Sequence, residues 1–240
     1  MNADPGPIPA FLDRARQKPL VGSYSLLNQY LNCPHATFHK YIGKTIPFVE
    51  TPEMAWGNRV HKAFEDRVSK RIPLPDDMAH WEQFAAPFDP MWKPGHAQVE
   101  LKCAINIKGE STGFFSDDAW FRGKLDLSLV NNTKAYLVDY KTGNPSYEDP
   151  FELEIGAVLL DARLSPKLRA IAGQYIWLKE SRLGKMYDLS DTNKTFAKMK
   201  HLMAEIEQDR ARDWFEKRKS GLCGWCAVQS CEHHFVARPK

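Results

Sequence analysis

The stretch that decides the fold is Ala135-Tyr136-Leu137-Val138-Asp139-Tyr140-Lys141-Thr142-Gly143. An apolar run of this kind reads as a strand, and Thr-Gly ends it. Residues two apart on a strand share a face, so Asp139 and Lys141 project together. An aspartate holds a divalent metal. A lysine beside it positions or activates a water and offsets developing negative charge. These are the parts needed to break a phosphodiester bond, and they direct the search upstream for partners.

Working outward, two further strands precede this one. Val99, Leu101, Cys103, Ile105 and Ile107 alternate with polar residues, the pattern of a half-buried strand. From Phe121 to Leu129, Leu125, Leu127 and Leu129 face one way, and Lys124, Asp126 and Ser128 the other. Asn131-Asn132 marks the turn into the third strand. Short connections predict an antiparallel three-stranded meander. Ahead of it, Ser23 or Ser25 caps a helix that Cys33-Pro34 interrupts. Thr51-Pro52-Glu53 opens a second helix running to about Arg71, with Pro52 suited to the first turn. After the meander, the spacing of Leu168, Ile171, Ala172, Tyr175 and Leu178 predicts a helix opened by Ser165-Pro166. A short strand follows near Lys185–Leu189. A long helix then runs from about Thr192 to Ser220, with Phe196, Met199, Met203, Ile206 and Trp214 inward and Gly221 as its stop. The expectation is an α/β (α+β) fold: a central mixed sheet containing the meander, flanked by helices. Residues 1–22, with four prolines, read as an arm. Residues 23–240 read as one domain, with a helical part over 23–95 and a cysteine-bearing tail over 221–240.

Composition sets the outer bounds. The 240 residues are 43% hydrophobic and 26% charged, with a formal charge of +3. This is globular composition. No run suits a membrane span and the N-terminus lacks a secretory layout, so a soluble, cytoplasmic protein is expected. The small net charge neither requires nor excludes nucleic acid. Five cysteines, an odd number, argue against a disulfide framework.

The polar residues that interrupt apolar patterns are His61, Glu100, Asp126, Asp139, Lys141 and Gln174. With them on the page, the chain resembles the PD-(D/E)XK nuclease superfamily, specifically its RecB-like and Cas4-like exonuclease group. Gly57-Asn58-Arg59-Val60-His61 matches the group's glycine-x-x-x-histidine helix. Gly123-Lys124-Leu125-Asp126 matches the motif that supplies the first aspartate, and Val138-Asp139-Tyr140-Lys141 the (D/E)-x-K strand. Gln174-Tyr175 resembles the glutamine–tyrosine motif, with a departure: the family places tyrosine four residues after glutamine, and position 178 is Leu. The resemblance implies a restriction-endonuclease-like core and a catalytic set of His61, Glu100, Asp126, Asp139, Lys141 and Gln174. It also implies Mg2+ or Mn2+ held by His61, Asp126, Asp139 and the Tyr140 carbonyl. The chemistry agrees. Magnesium takes oxygen ligands, and manganese accepts a nitrogen more readily. A bound divalent ion serves as Lewis acid and activates water. Glu100, on the polar side of its strand, would accept from a metal-bound water or hold Lys141.

Cys223, Cys226 and Cys231 are spaced for a metal or cluster. Cluster-bearing members of the resembled group place one cysteine before the nuclease core and three after it. That implies a structural [4Fe-4S] cluster on Cys33, Cys223, Cys226 and Cys231. The last spacing is four intervening residues, where the family often has five. The alternatives are Zn2+ with His233 or His234 in place of Cys33, and unligated thiols. Cys103 reads as a small core residue.

For DNA, Arg59, Lys62, Arg67, Lys70 and Arg71 crowd the histidine-bearing helix, and Arg210, Arg212, Lys217, Arg218 and Lys219 follow on the last one. Either group suits phosphates. Trp56, Trp92, Trp120 and Phe121 are candidates for stacking on unpaired bases. The reading is a metal-dependent DNA exonuclease acting on ends or single strands, in repair, recombination, phage replication or CRISPR processing, with a possible helicase or recombination partner. A nicking or structure-specific endonuclease and a catalytically idle DNA-binding module are the alternatives.

Overall fold

A computed structural model describes residues 19–91, 96–144 and 148–235. The chain forms two compact units. One is Glu50–Lys198; the other combines Met1–Val49 with Met199–Lys240.

The first unit carries the sheet. Helix α3 (Pro52–Lys70) starts where Thr51 accepts the Met54 N–H on its hydroxyl, and ends at Arg71 in the left-handed conformation. Six strands follow: β1 (Ala97–Ile105), β2 (Ser111–Thr112), β3 (Phe121–Asn131), β4 (Lys134–Lys141), β5 (Ala170–Trp177) and β6 (Arg182–Asp188). Their order is β2-β1-β3-β4-β5-β6. The pairs β1–β3 and β3–β4 are antiparallel, which is the expected meander. Asn132 makes the β3–β4 turn at φ 54, a conformation asparagine tolerates. Strand β5 runs parallel to β4, and β6 is antiparallel to β5.

The parallel pair corrects the sequence reading. Residues 170–177 form a strand, and the helix lies earlier, as α4 (Phe151–Arg163). A parallel neighbour for β4 requires a crossover, and α4 is that crossover. The helix from Phe151 to Leu160 is buried nearly all round, so it shows no polar face for periodicity to detect. Ile171, Ala172 and Tyr175 fit helical spacing, yet Ile171, Tyr175, Ile176 and Trp177 are the β-branched and aromatic residues that a pleated surface favours.

Two layers cover the sheet. On one side Val60, Phe64 and Val68 of α3 join Leu127, Val138, Tyr140, Ile176 and Leu178, closed by Met78, Trp81 and Phe84 of the 3-10 segment Asp76–Phe84. On the other, α4 packs so closely that a Cβ on Gly156 would lie 2.9 Å from Leu125 Cδ2, and one on Gly123 2.8 Å from Leu159 Cδ1.

The second unit opens with α1 (Tyr24–Asn32), capped by Ser23 Oγ accepting from the Leu26 N–H at 3.2 Å. Cys33 is extended, and α2 (Pro34–Thr37) restarts at the proline, followed by the π-turn Phe38–Ile42. Helix α5 (Thr192–Arg212) begins in the first unit and ends in the second. Met199, Met203 and Ile206 are buried as expected. The helix stops eight residues earlier than the sequence suggested. Asp213 turns the chain at φ 52, and Trp214 is 67% exposed rather than inward. Gly221 opens a 3-10 turn, Gly221–Trp225, instead of ending a helix. No helix among the described residues is long and apolar enough to cross a membrane.

Candidate active site

The site lies where β3 and β4 part. Their ladder runs from Asn131↔Lys134 to Leu127↔Val138. Beyond it the Tyr140 N–H donates to Asp126 Oδ2, at 2.9 Å. A side-chain carboxylate thus takes the place of a main-chain acceptor, while β4 stays paired with β5 as far as Lys141↔Trp177. The same Oδ2 lies 3.1 Å from His61 Nδ1. The ring is held there by α3, whose neighbouring Val60 and Phe64 are locked in the core. Glu100 Oε1 is 3.9 Å from the same nitrogen. Glu100 sits at φ 51, a left-handed conformation rare for a residue with a side chain. It ion-pairs with Lys124 and not with Lys141, one of its two expected roles.

The donor atoms of His61, Glu100 and Asp126 all lie within 4.8 Å of one another, and they are the only such group of three or more among the described residues. Burial works to lower the His61 pKa. The hydrogen bond to Asp126, with the charges of Asp126, Asp139 and Glu100, outweighs it and raises the pKa above the ordinary 6.5.

A second cluster adjoins the first. Lys141 Nζ lies 2.9 Å from Asp139 Oδ1 and 2.5 Å from Glu152 Oε2 of α4, and sits 5.3 Å from the Tyr175 ring centre. Burial, reinforced by the charges of Glu152 and Asp126, pushes the Asp139 carboxyl well above its ordinary range despite Lys141. Burial would lower the Lys141 pKa, but Asp139 and Glu152 hold it well above its ordinary value. Asp139 Oδ1 is buried, and its contact with the ammonium falls outside hydrogen-bonding geometry. Asp139 and Glu152 therefore converge on one lysine, with the Asp126 charge acting on Asp139 as well. This surplus of buried negative charge is what a divalent cation relieves. The mixed oxygen and imidazole donors suit magnesium or manganese.

Other expectations resolve differently. Gln174 lies on a strand, not a helix. Its Oε1 accepts from the Tyr136 hydroxyl at 2.7 Å and its Nε2 donates to the Gly184 carbonyl at 2.8 Å, so its amide is engaged away from the carboxylates. The adjacent Tyr175 is the residue beside Lys141. Tyr140 directs its side chain into the core against Phe64, with ring centres 4.3 Å apart, leaving its main chain to serve the site. Glu152 was missed, because the helix that presents it was missed.

The basic face of α3 is internally neutralised. Arg59 binds Asp77, Lys62 and Lys70 bind Asp66, and Arg67 and Arg71 bind Asp89. Of the stacking candidates, Phe121 is buried, Trp120 packs on Phe196, and Trp56 lies beside Trp81. Trp92 lies outside the described residues.

In the second unit Cys33, Cys223, Cys226 and Cys231 are half-buried free thiols. Cys103 is a core residue, its thiol pushed up to about 11 by burial.

The PD-(D/E)XK nuclease superfamily model matches residues 22–231. The chain belongs to the PD-(D/E)XK nuclease superfamily. No protein among the curated sequences matches it. Among solved structures, a candidate exonuclease from Eubacterium rectale is 12% identical with a TM-score of 0.51, the match covering 95% of this chain and 92% of that one. The crystal structure of SSO0001 is 15% identical with a TM-score of 0.48, over 95% of this chain and 96% of that one. At such identities the likeness concerns the fold. Nucleases of this superfamily hydrolyse phosphodiester bonds with divalent metal, and the acid-and-imidazole group fits that chemistry.

Proposed function

We propose that this PD-(D/E)XK nuclease is a DNA exonuclease in which residues 23–240 act as one catalytic domain. The observation that carries the reading is the convergence of His61, Glu100 and Asp126 beside the Asp139–Lys141–Glu152 cluster. His61, Asp126, Asp139 and the Tyr140 carbonyl would hold the cation, with Glu100 at its edge. When bound, the cation supplies Lewis acidity and an activated water. Lys141 supplies a fixed positive charge to the phosphate as negative charge develops. Glu152 positions Lys141, and Gln174 ties β5 to β4 through Tyr136 and to β6 through Gly184 rather than touching substrate. The name of the Eubacterium rectale neighbour agrees with attack from ends. Repair, recombination, phage or CRISPR processing would each suit such an activity, with a helicase or recombination protein supplying ends.

Incubation of end-labelled linear and covalently closed circular DNA with manganese or magnesium tests this. Loss of label from linear DNA with circles intact is expected. Cutting of circles would make the enzyme an endonuclease, and no cutting of either would leave a binding module.

We further propose a structural metal centre on Cys33, Cys223, Cys226 and Cys231. Arg218 donates to the Leu31 carbonyl at 3.1 Å, and the His35 N–H donates to the Glu216 carbonyl at 2.9 Å, so the tail brackets Cys33 from both sides. Cys223 Sγ lies 3.8 Å from the Arg218 carbonyl. His234 Nδ1 is engaged with the Cys223 carbonyl at 3.1 Å, which leaves Nε2 as its one free ligand atom. The placement of one cysteine before the core and three after it, as in the resembled group, is what favours a [4Fe-4S] group over zinc. Anaerobically purified protein is expected to be brown with about four irons per chain, and Cys33→Ser to lose them. Zinc retained in Cys33→Ser but lost on changing His233 or His234 would overturn it.

A further inference from the structure

Strands β1 and β3 present a row of cations, Lys102, Lys124 and Arg122, of which Arg122 also donates to the Phe114 carbonyl at 3.3 Å. Lys102 and Lys124 are directly opposite on the ladder, and Arg122 is opposite Ala104, the next position but one from Lys102. Like charges in directly opposed positions destabilise a sheet. Lys124 is relieved by Glu100. Among the described residues no carboxylate ion-pairs with Lys102 or Arg122. Both instead face an aromatic pair in the loop after β2. Lys102 Nζ lies 5.8 Å from the Phe114 ring centre and 5.9 Å from Phe115; the Arg122 guanidinium lies 5.6 and 5.9 Å from the same rings. Phe115 is 78% exposed, so core packing does not explain it. Of the neighbouring acids, Asp118 accepts from Thr112 and Glu110 from Asn106. The row leads to the candidate site, since Lys124 touches Glu100, which touches His61. From Arg122 to Asp126 is four strand residues, about 13 Å, the reach of a few nucleotides.

We propose that Phe114, Phe115, Lys102, Arg122 and Lys124 form a ramp that grips single-stranded DNA as it enters the candidate active site. This rests on the nuclease reading and adds the substrate form. Phosphates take the cations, and Phe115 stacks on a base. A duplex hides its base faces, so an exposed aromatic between cations selects unpaired strands. The neutralised face of α3 offers phosphates no comparable row.

The test is fluorescence anisotropy of labelled oligothymidylate and of a blunt duplex, in EDTA to prevent turnover, over a series of salt concentrations. Phe115→Leu, which keeps apolar bulk but has no ring, should bind the single strand about fivefold more weakly or worse. Phe115→Tyr should bind as wild type. Lys102→Ala should lower the slope of log affinity against log salt by about 0.7, one phosphate contact. Duplex binding should change less than single-strand binding in each variant. Wild-type affinity in Phe115→Leu, an unchanged slope in Lys102→Ala, or parallel losses on both DNAs would overturn the ramp. Cleavage of the same oligonucleotide in manganese separates the two claims. Wild type that cuts while the variants bind normally refutes the ramp and keeps the nuclease. Wild type that binds through Phe115 and Lys102 but cuts nothing keeps the ramp and refutes the nuclease.

Discussion

Asp126 has two separable duties, and replacing it by Asn or by Ala tells them apart. Both substitutions delete the same negative charge, so the electrostatic consequences for His61, Asp139 and Lys141 largely cancel in the comparison. What differs is the acceptor for the Tyr140 N–H, 2.9 Å from Oδ2. Asn retains a carbonyl oxygen there and Ala retains nothing. Tyr140 is 2% exposed, and a buried donor left without a partner costs about 1–3 kcal/mol. Asn, having lost only the charge assistance, should recover most of that. Asp126→Ala is therefore expected to unfold in urea about 1–2 kcal/mol more easily than Asp126→Asn, with faster amide hydrogen exchange at Tyr140. Both should lack manganese-dependent cleavage, because neither offers an anionic ligand. If the two variants unfold within about 0.5 kcal/mol of each other, the fork is not held by this bond. If Asp126→Asn cleaves normally, Asp126 does not serve the metal.

Lys141→Met should slow cleavage about 100- to 1,000-fold, and Glu152→Gln, which retains an acceptor for Nζ, about tenfold; single-turnover rates check both, and equal losses would assign Glu152 a larger part. For His61, the folded pKa is raised above 6.5, so the associated stability is full below 6.5 and lost as pH climbs through the raised value. Metal-free wild type should thus weaken over that window while His61→Gln stays flat, as followed by urea midpoints at a series of pH values. At Gly173 an added Cβ would lie 2.4 Å from Leu189 Cδ1 and 3.5 Å from Leu153 Cδ1, so Gly173→Ala should cost about 1–3 kcal/mol through overpacking; a thermal melt indistinguishable from wild type would show that Leu189 simply moves aside.

The meander was legible because two of its strands alternate apolar and polar residues in sequence, the third is an apolar run ended by Thr-Gly, and an Asn pair marked the turn. The candidate cation ligands stood out instead by motif: His61 in the glycine-x-x-x-histidine run, Asp126 after Gly123, and Asp139 in the D-x-K strand. Helix α4 was hidden by its own burial, and with it went Glu152, whose position in a first turn has meaning only once the helix is known. Gln174 illustrates the opposite error, since its apolar neighbours Ile171, Ala172 and Tyr175, at helical spacing, lie on a strand. The fate of the α3 cations was invisible for another reason. Asp77, Glu82 and Asp89 come from the segment after the helix, and only folding brings them to Arg59, Arg67 and Arg71. Phe114 and Phe115 stand outside any periodic element, where sequence pattern has nothing to say.

The end of the β3–β4 ladder at Leu127↔Val138 gives the two strands the form of forceps. Behind that pivot, Leu127 and Val138 are clamped in the core and main-chain bonds fix every spacing. Ahead of it the jaws are Asp126 on one arm and Asp139 with Lys141 on the other, joined by one side-chain bond. The gap between the jaws is thereby released from the fixed pitch of a sheet. It can be fitted to the radius of an ion and the width of a phosphate without any adjustment being transmitted to the handle.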